Sequence, residues 1–138
     1  MNPKKSRTNC LSCGRETDRH NTKYCSNLCQ HIHDRALRAE VVLATGDVSS
    51  AFKGVRSVKN FILEQDGPKC SICGTLEWNG KPVPLVLDHV DGNSENCLRS
   101  NLRLVCGNCD MQLPTYKSRN RGNGRHNRRQ RYANGQSY

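Results

Sequence analysis

Apolar residues recur at helical spacing in the first third of the chain, which predicts an amphipathic helix. Ser26 can cap the first turn of this helix, and Gly46 interrupts the pattern. The helix is therefore expected to run from about Ser26 to Gly46, with its apolar face turned toward a core. The positions that share this face are Leu28, Ile32, Ala36, Ala39 and Leu43.

Residues 47–56 are mostly polar and small, so they are predicted to form a linker. A second helix is expected from Ser57, with Val58, Phe61 and Ile62 on its buried side. The pair Gly67-Pro68 cannot continue a helix and is expected to end it.

The centre of the chain predicts two strands followed by a short helix. Residues 83–90 are mostly valine and leucine, which favours a strand, and Asp91-Gly92-Asn93 ends it. Residues 102–105 predict a shorter strand. A short helix is expected near Cys109, and Pro114 ends or bends it. The predicted fold class is therefore a small α+β protein.

The composition indicates that such a chain needs a covalent or metal staple. Only 34% of the 138 residues are hydrophobic and 5% are aromatic, so the chain can bury little apolar area. The nine cysteines are the candidates for the staple. No apolar run follows the N-terminus and none is long enough to span a membrane. A cytoplasmic location, and hence reduced cysteines, is expected.

Eight of the cysteines fall into two sets of four with metal-ligand spacing, for which structural zinc is favoured over disulfides. His31 and His33 are alternatives to Cys29 as a ligand in the first set. Cys97 is left over and is expected to be a free thiol. The first predicted zinc site consists of Cys10, Cys13, Cys25 and Cys29. The second consists of Cys70, Cys73, Cys106 and Cys109.

The chain carries a formal charge of +10, and residues 117–138 hold seven lysines and arginines and no acid. A basic tail favours a polyanionic partner, of which nucleic acid is the first candidate. The alternative is a solvated tail that only keeps the protein soluble.

Four polar side chains near the second cysteine set suggest phosphodiester hydrolysis. His89 is a candidate general base near neutral pH, and Asp88 and Asp110 are candidate ligands for a divalent cation. Asn101 can hydrogen-bond the imidazole and fix its orientation. One geometric difficulty is that Asp88 and His89 leave opposite faces of an ideal strand.

The stretch from Cys70 to Asn120 resembles the HNH endonucleases, which have the ββα-metal fold, and is most similar to their small members in phages and mobile introns. The resemblance rests on Cys-Ser-Ile-Cys-Gly from Cys70, Trp-Asn-Gly-Lys-Pro from Trp78 and Leu-Asp-His-Val-Asp-Gly from Leu87. It continues in Ser-Asn-Leu-Arg-Leu-Val-Cys-Gly-Asn-Cys from Ser100 and Thr-Tyr-Lys-Ser-Arg-Asn from Thr115. The cysteine module before it is similar, more weakly, to small zinc ribbons.

The resemblance implies a DNA endonuclease that hydrolyses phosphodiester bonds, making one nick per active site and leaving 5′-phosphate and 3′-hydroxyl ends. His89 would be the general base, Asn101 would orient the His89 imidazole, and Asp88 would be a metal ligand. The third family position, usually His, is Asp110 here, which favours Mg²⁺ or Mn²⁺. The alternative function is a weak or inactive zinc-finger protein that only binds DNA.

The expected cofactors are two structural zinc ions and one catalytic Mg²⁺ or Mn²⁺. The expected partner is the DNA phosphate backbone, not a membrane, for a monomer or dimer acting inside the cell, or in the host cell if phage-encoded. The predicted domains are an N-terminal zinc module with its helix (1–46), a linker (47–56), the nuclease domain (57–120) and a basic flexible tail (121–138). Predicted DNA contacts are Arg99, Arg103, Lys117, Arg119, Arg121, Arg125, Arg128 and Arg129.

Overall fold

The structure is a computed structural model that describes residues 7–18, 22–120, 130 and 133–135. The chain divides into two compact units, Met1–Ala44 and Thr45–Tyr138. The described helices and strands are, in chain order, α1 (Asn27–Thr45), α2 (Val55–Asp66), β1 (Glu77–Trp78), β2 (Lys81–Pro82), β3 (Leu85–His89), β4 (Leu102–Cys106) and α3 (Gly107–Gln112). Short 3-10 turns span Val48–Ser50, Arg99–Asn101 and Lys117–Asn120.

The N-terminal unit contains a cysteine knuckle followed by α1. The predicted cap of this helix is confirmed, because the Ser26 hydroxyl accepts a hydrogen bond from the Cys29 backbone N–H at 3.2 Å. The predicted buried face is wrong: Leu28 is 68% exposed and Leu43 81% exposed, whereas the neighbouring Val42 is buried. Helical spacing identifies an apolar face, but it does not determine what covers that face.

The segment predicted as a linker is folded in the second unit. Val48 is fully buried in its 3-10 turn, and the Phe52 ring stacks on that of Phe61 with centroids 4.6 Å apart. Asp47 caps the turn by accepting from the Ser49 backbone N–H at 2.8 Å. The second helix consequently begins at Val55, two residues before the predicted Ser57. Its end at Asp66 agrees with the predicted stop at Gly67-Pro68.

The core of the second unit lies around the antiparallel pair β3–β4. Leu102, Leu104 and Val105 of β4 are almost fully buried, and both α2 and α3 contact the pair. The register places Leu85 opposite Cys106 and His89 opposite Leu102. The helix α3 follows β4 without a loop. The predicted α+β class is confirmed, and β3, β4 and α3 have the strand–strand–helix order that the family resemblance implies.

Candidate active site and metal clusters

Each predicted set of four cysteines forms one cluster in the structure. Within each set the sulfurs all lie within 4.8 Å of one another. The Sγ atoms of Cys13 and Cys25 are 3.7 Å apart, and those of Cys73 and Cys106 are 3.8 Å apart. Four sulfurs bound tetrahedrally to zinc at about 2.3 Å would be separated by about 3.8 Å, whereas a disulfide bond is about 2.0 Å long. The donor sets therefore fit a tetrahedral metal ion.

The histidine alternatives in the first cluster are not part of it. Cys29 completes the group of four sulfurs, and its Sγ lies 3.4 Å from that of Cys25. His33 instead pairs with Tyr24, with its Nδ1 3.1 Å from the phenolic oxygen. His31 is exposed on α1. Cys97 stands outside both clusters as a free thiol.

The two clusters are held by the same backbone arrangement. In the first, the Gly14 N–H donates to the Cys10 carbonyl and the Leu11 N–H donates to the Lys23 carbonyl. In the second, the Gly74 N–H donates to the Cys70 carbonyl and the Ser71 N–H donates to the Leu104 carbonyl. Lys23 and Leu104 each stand two residues before the third cysteine of their cluster. Each module therefore contains a cysteine knuckle of the same type, although the spacing between the third and fourth cysteines differs between the two modules.

The first cysteine of each knuckle is set up to be a thiolate. Burial raises the pKa of the Cys10 thiol, but backbone N–H groups from Cys13 and Cys25 outweigh it and bring the pKa down to about 6. Burial also raises the pKa of the Cys70 thiol, but backbone N–H groups, chiefly those of Cys73 and Cys106, outweigh burial and lower this pKa to about 6. Zinc binds the thiolate form, so these donors favour metal binding near neutral pH.

Two of the predicted site residues, Asp88 and His89, lie at the end of β3. Asp88 is nearly buried and pairs across the strands with Arg103, whose Nε donates to the Asp88 carboxylate at 2.7 Å. His89 is the last residue of the strand and pairs with the buried Leu102. Because β3 remains regular through His89, the two side chains leave opposite faces of the ladder. The strand ends at His89 and the turn begins at Val90, one residue before the predicted break at Asp91-Gly92-Asn93.

The carboxyl group of Asp110 on α3 is affected by the negative charge of Asp88. Burial and the negative charge of Asp88 raise the pKa of the Asp110 carboxyl, while Lys117 lowers it. The carboxylates of Asp88 and Asp110 therefore repel each other electrostatically, although they are 22 positions apart in sequence. Such a pair offers hard oxygen ligands, and a divalent cation between them would relieve their repulsion.

The imidazole of His89 is only half-buried, and its environment favours the neutral form. Burial lowers the pKa of His89, and the negative charges of Asp91 and Asp88 only partly oppose this. A neutral imidazole is the form that can accept a proton.

The predicted contact between Asn101 and the imidazole is wrong. Both amide hydrogens of Asn101 are used elsewhere: its Nδ2 donates to the Asp91 carboxylate and to the Asn96 carbonyl, each at 2.9 Å. Its Oδ1 accepts from the Asp91 backbone N–H at 3.0 Å. The side chain is buried. Asn101 therefore holds the loop that follows His89, and it acts on the imidazole only through the backbone.

Asp91 is the loop residue that sequence reasoning missed. Its carboxylate accepts from the Asn96 side chain at 2.6 Å, from the Asn93 backbone N–H at 2.8 Å and from Asn101. These bonds, with the Asn96 side chain first, lower the pKa of Asp91. The pattern Asp91-Gly92-Asn93 predicted only the end of the strand, although the same turn signal could have identified Asp91 as the residue that holds the loop.

This network makes a testable prediction for Asn101→Ala. The substitution removes three hydrogen bonds, and at about 1 kcal/mol each it is expected to lower the free energy of unfolding by about 3 kcal/mol. Urea denaturation followed by circular dichroism measures this change. Ser94→Ala, in an exposed position of the same loop, is the control and is expected to unfold like the wild type. An unchanged urea midpoint for Asn101→Ala would contradict the loop-holding role.

Most of the predicted DNA-contacting cations that the structure describes are engaged within the fold. Arg99 binds Asp66 at 2.6 Å and the Leu102 carbonyl at 3.1 Å. The Arg119 guanidinium donates to the Leu113 carbonyl at 3.2 Å, after the end of α3. Lys117 lies over the ring of Tyr116, 4.9 Å from its centroid. Arg103 is the cation at the candidate site. The remaining four, Arg121, Arg125, Arg128 and Arg129, lie outside the described residues.

Comparison with known proteins gives one informative similarity. The chain is 40% identical over 82 residues to the H-N-H endonuclease F-TflIV of Escherichia phage T5. The match covers 58% of this chain but 34% of the phage protein, so the chain spans about a third of that relative's length. Neither a protein-family model nor a solved structure matches the chain. Among the described residues, no helix is long and apolar enough to cross a membrane. The resemblance to HNH endonucleases that the motifs indicated is thus confirmed by similarity to a phage protein of that name.

Proposed function

We propose that this protein is a metal-dependent HNH endonuclease that hydrolyses phosphodiester bonds in DNA. The observation that supports the proposal most strongly is the 40% identity over 82 residues to a phage H-N-H endonuclease, and at the candidate site the carboxyl of Asp110 is affected by the negative charge of Asp88. A general base and a carboxylate pair for a divalent cation are the two parts that phosphodiester hydrolysis requires.

Each site residue has a distinct role in this proposal. His89 accepts a proton from the water that attacks phosphorus, and the loop held by Asn101 fixes the backbone beside it. Asp88 and Asp110 would hold a divalent cation, which supplies charge neutralisation at the phosphate and the leaving oxygen. Arg103, whose Nε donates to one oxygen of Asp88, would also contact the phosphate through its guanidinium.

The products follow from which phosphorus–oxygen bond breaks. Attack by water with departure of the 3′-oxygen leaves a 5′-phosphate and a 3′-hydroxyl, as the family resemblance implies. One such site cuts one strand, so a double-strand break would need two copies of the chain or two successive binding events.

The two cysteine clusters have a structural role in this proposal, and zinc is the metal that their four sulfurs fit best. The second cluster joins the knuckle at Cys70 to the end of β4 and the start of α3, so it fixes the helix that carries Asp110. The first cluster belongs to the N-terminal unit, which we assign to DNA positioning together with the basic C-terminal residues.

The alternative is a zinc protein that binds DNA without cutting it, and the specific feature that favours it is Asp110 in place of the family's histidine. Purified protein mixed with supercoiled plasmid and Mg²⁺ distinguishes the two functions. Nicking by the wild-type chain that requires the added cation supports the enzyme. Plasmid binding without nicking at any Mg²⁺ or Mn²⁺ concentration would support the alternative.

The carboxylate at position 110 also predicts the metal preference of the enzyme. Two carboxylates are hard ligands, so nicking is expected to be faster with Mg²⁺ or Mn²⁺ than with Ni²⁺ or Zn²⁺. Asp110→His is expected to shift the preference toward Ni²⁺, because imidazole suits later transition metals. Initial nicking rates across the four cations measure both effects. Fastest cutting by the wild-type chain with Ni²⁺ would refute this account of Asp110.

A further inference from the structure

The tryptophan at position 78, the only one in the chain, is exposed at the tip of a tight hairpin. Trp78 is 66% exposed, although its large apolar surface is usually covered in a folded protein. Asn79 and Gly80 form the turn with φ angles of 52° and 71°. Positive φ at both central positions is typical of the type I′ turn that joins paired strands tightly. The hairpin therefore presents the indole from a well-defined turn.

Trp78 forms one wall of a groove of about 500 Å³ that runs beside the second cysteine cluster. Val86, which also lines the groove, is 40% exposed. The described side chains that line the groove and lie outside the cluster are mainly apolar or neutral. They include Trp78, Val83, Pro84, Val86, Asn108 and Gln112.

The groove adjoins the candidate active site. Val86 and Asp88 are two residues apart on β3, so they share one face of the strand at a separation of about 6.6 Å. Asn108 and Gln112, which line the groove, are four residues apart on one face of α3, the helix that also carries Asp110.

The charge around the groove suits a nucleic acid. Lys81 is the cross-strand partner of Trp78 and is exposed, so its ammonium can reach a phosphate while the indole contacts a base. The nearest acid on the hairpin, Glu77, leaves the opposite face because successive strand residues alternate. An exposed aromatic beside a lysine is the combination that binds nucleotides without sequence preference.

We propose that Trp78 stacks on a nucleobase of the bound DNA and so positions the strand for cutting at Asp88, an inference that rests on the proposed nuclease function. Trp78 is a positioning residue, since it acts on the substrate at a distance from the reacting phosphate. The base occupies the groove between the indole and Val86, and Lys81 holds the adjoining phosphate.

The intrinsic fluorescence of Trp78 tests the stacking directly. The full-length, zinc-loaded chain with His89→Ala, which should not cut, is titrated with a short duplex and with a single strand of the same sequence. Saturable quenching and protection from acrylamide are expected, with the same midpoint as the anisotropy of the labelled DNA. Unchanged fluorescence at DNA concentrations that saturate the anisotropy signal would overturn the inference.

Substitutions give a second readout. Trp78→Ala is expected to weaken DNA binding by about 5- to 150-fold, the range for loss of one aromatic–base stack. Trp78→Phe keeps a stacking face and is expected to retain most of the affinity. Leu76→Ala is the matched control, because Leu76 is 54% exposed on the same hairpin but does not line the groove. Equal affinity for Trp78→Ala and wild type would also overturn the inference.

These outcomes separate the inference from the nuclease proposal. Metal-dependent nicking by the wild type without quenching of Trp78 would retain the nuclease and reject the stacking. Quenching by DNA in a wild-type chain that never nicks would support the stacking contact and reject catalysis. All variants are checked for two bound zinc ions, so that a folding defect is not taken for a loss of stacking.

Discussion

His89→Ala is expected to lower the rate of plasmid nicking by about 10²- to 10⁴-fold, the usual contribution of a positioned general base. The fold should be unaffected, because His89 is only half-buried and ends its strand. Its pKa is lowered by burial, so at neutral pH the imidazole is mainly in the form that the reaction uses. Affinity for DNA should change little, since the cations and the cysteine clusters remain.

This prediction has a matched control and a rescue. His31→Ala removes an exposed histidine from α1 and is expected to nick DNA at the wild-type rate. Imidazole added to the buffer is expected to restore part of the activity of His89→Ala, because it can act as the missing base. Gel-based rates on supercoiled plasmid measure each effect. A His89→Ala chain that keeps more than about a tenth of the wild-type rate would contradict the assignment of the base.

Loss of the second cysteine cluster is expected to unfold the unit that carries the active site. Cys106 is buried between β4 and α3, and Cys106→Ser removes one of four ligands there. Metal binding by such sites contributes on the order of 10 kcal/mol, which is as large as the whole stability of a small domain. Circular dichroism should then show loss of cooperative unfolding, and the zinc content should fall from two to one.

The ninth cysteine provides the control for this experiment. Cys97 lies outside both clusters, and burial raises the pKa of its thiol, so it is expected to remain a protonated, metal-free side chain. Cys97→Ser should therefore bind two zinc ions and unfold as the wild type does. A Cys106→Ser chain with the wild-type unfolding curve would show that the cluster does not hold this unit together.

Features fixed by short-range chemistry were predictable from the sequence. Cysteine spacing predicted both clusters, because a knuckle needs a fixed number of residues between its first two ligands. The valine- and leucine-rich run predicted β3. The strand–strand–helix order of β3, β4 and α3 also followed, because the family resemblance implied it.

Features fixed by long-range packing were not predictable in the same way. Val48 and Phe52 lie in a polar, linker-like segment, and only the folded structure reveals that both are buried and that Phe52 stacks on Phe61. The role of Asn101 depended on which of several acceptors lay nearest once the loop had closed, and Asp91 and Asn96 took both of its donors.

The most direct test of the central claim is the binding of Mn²⁺, measured by electron paramagnetic resonance on the zinc-loaded chain. If Asp88 and Asp110 share one cation, the wild type binds one Mn²⁺ beyond its zinc, and Asp88→Asn and Asp110→Asn each abolish that binding. His89→Ala leaves it intact. Unchanged Mn²⁺ binding in both aspartate variants would contradict the claim that the strand and the helix together form a catalytic metal site.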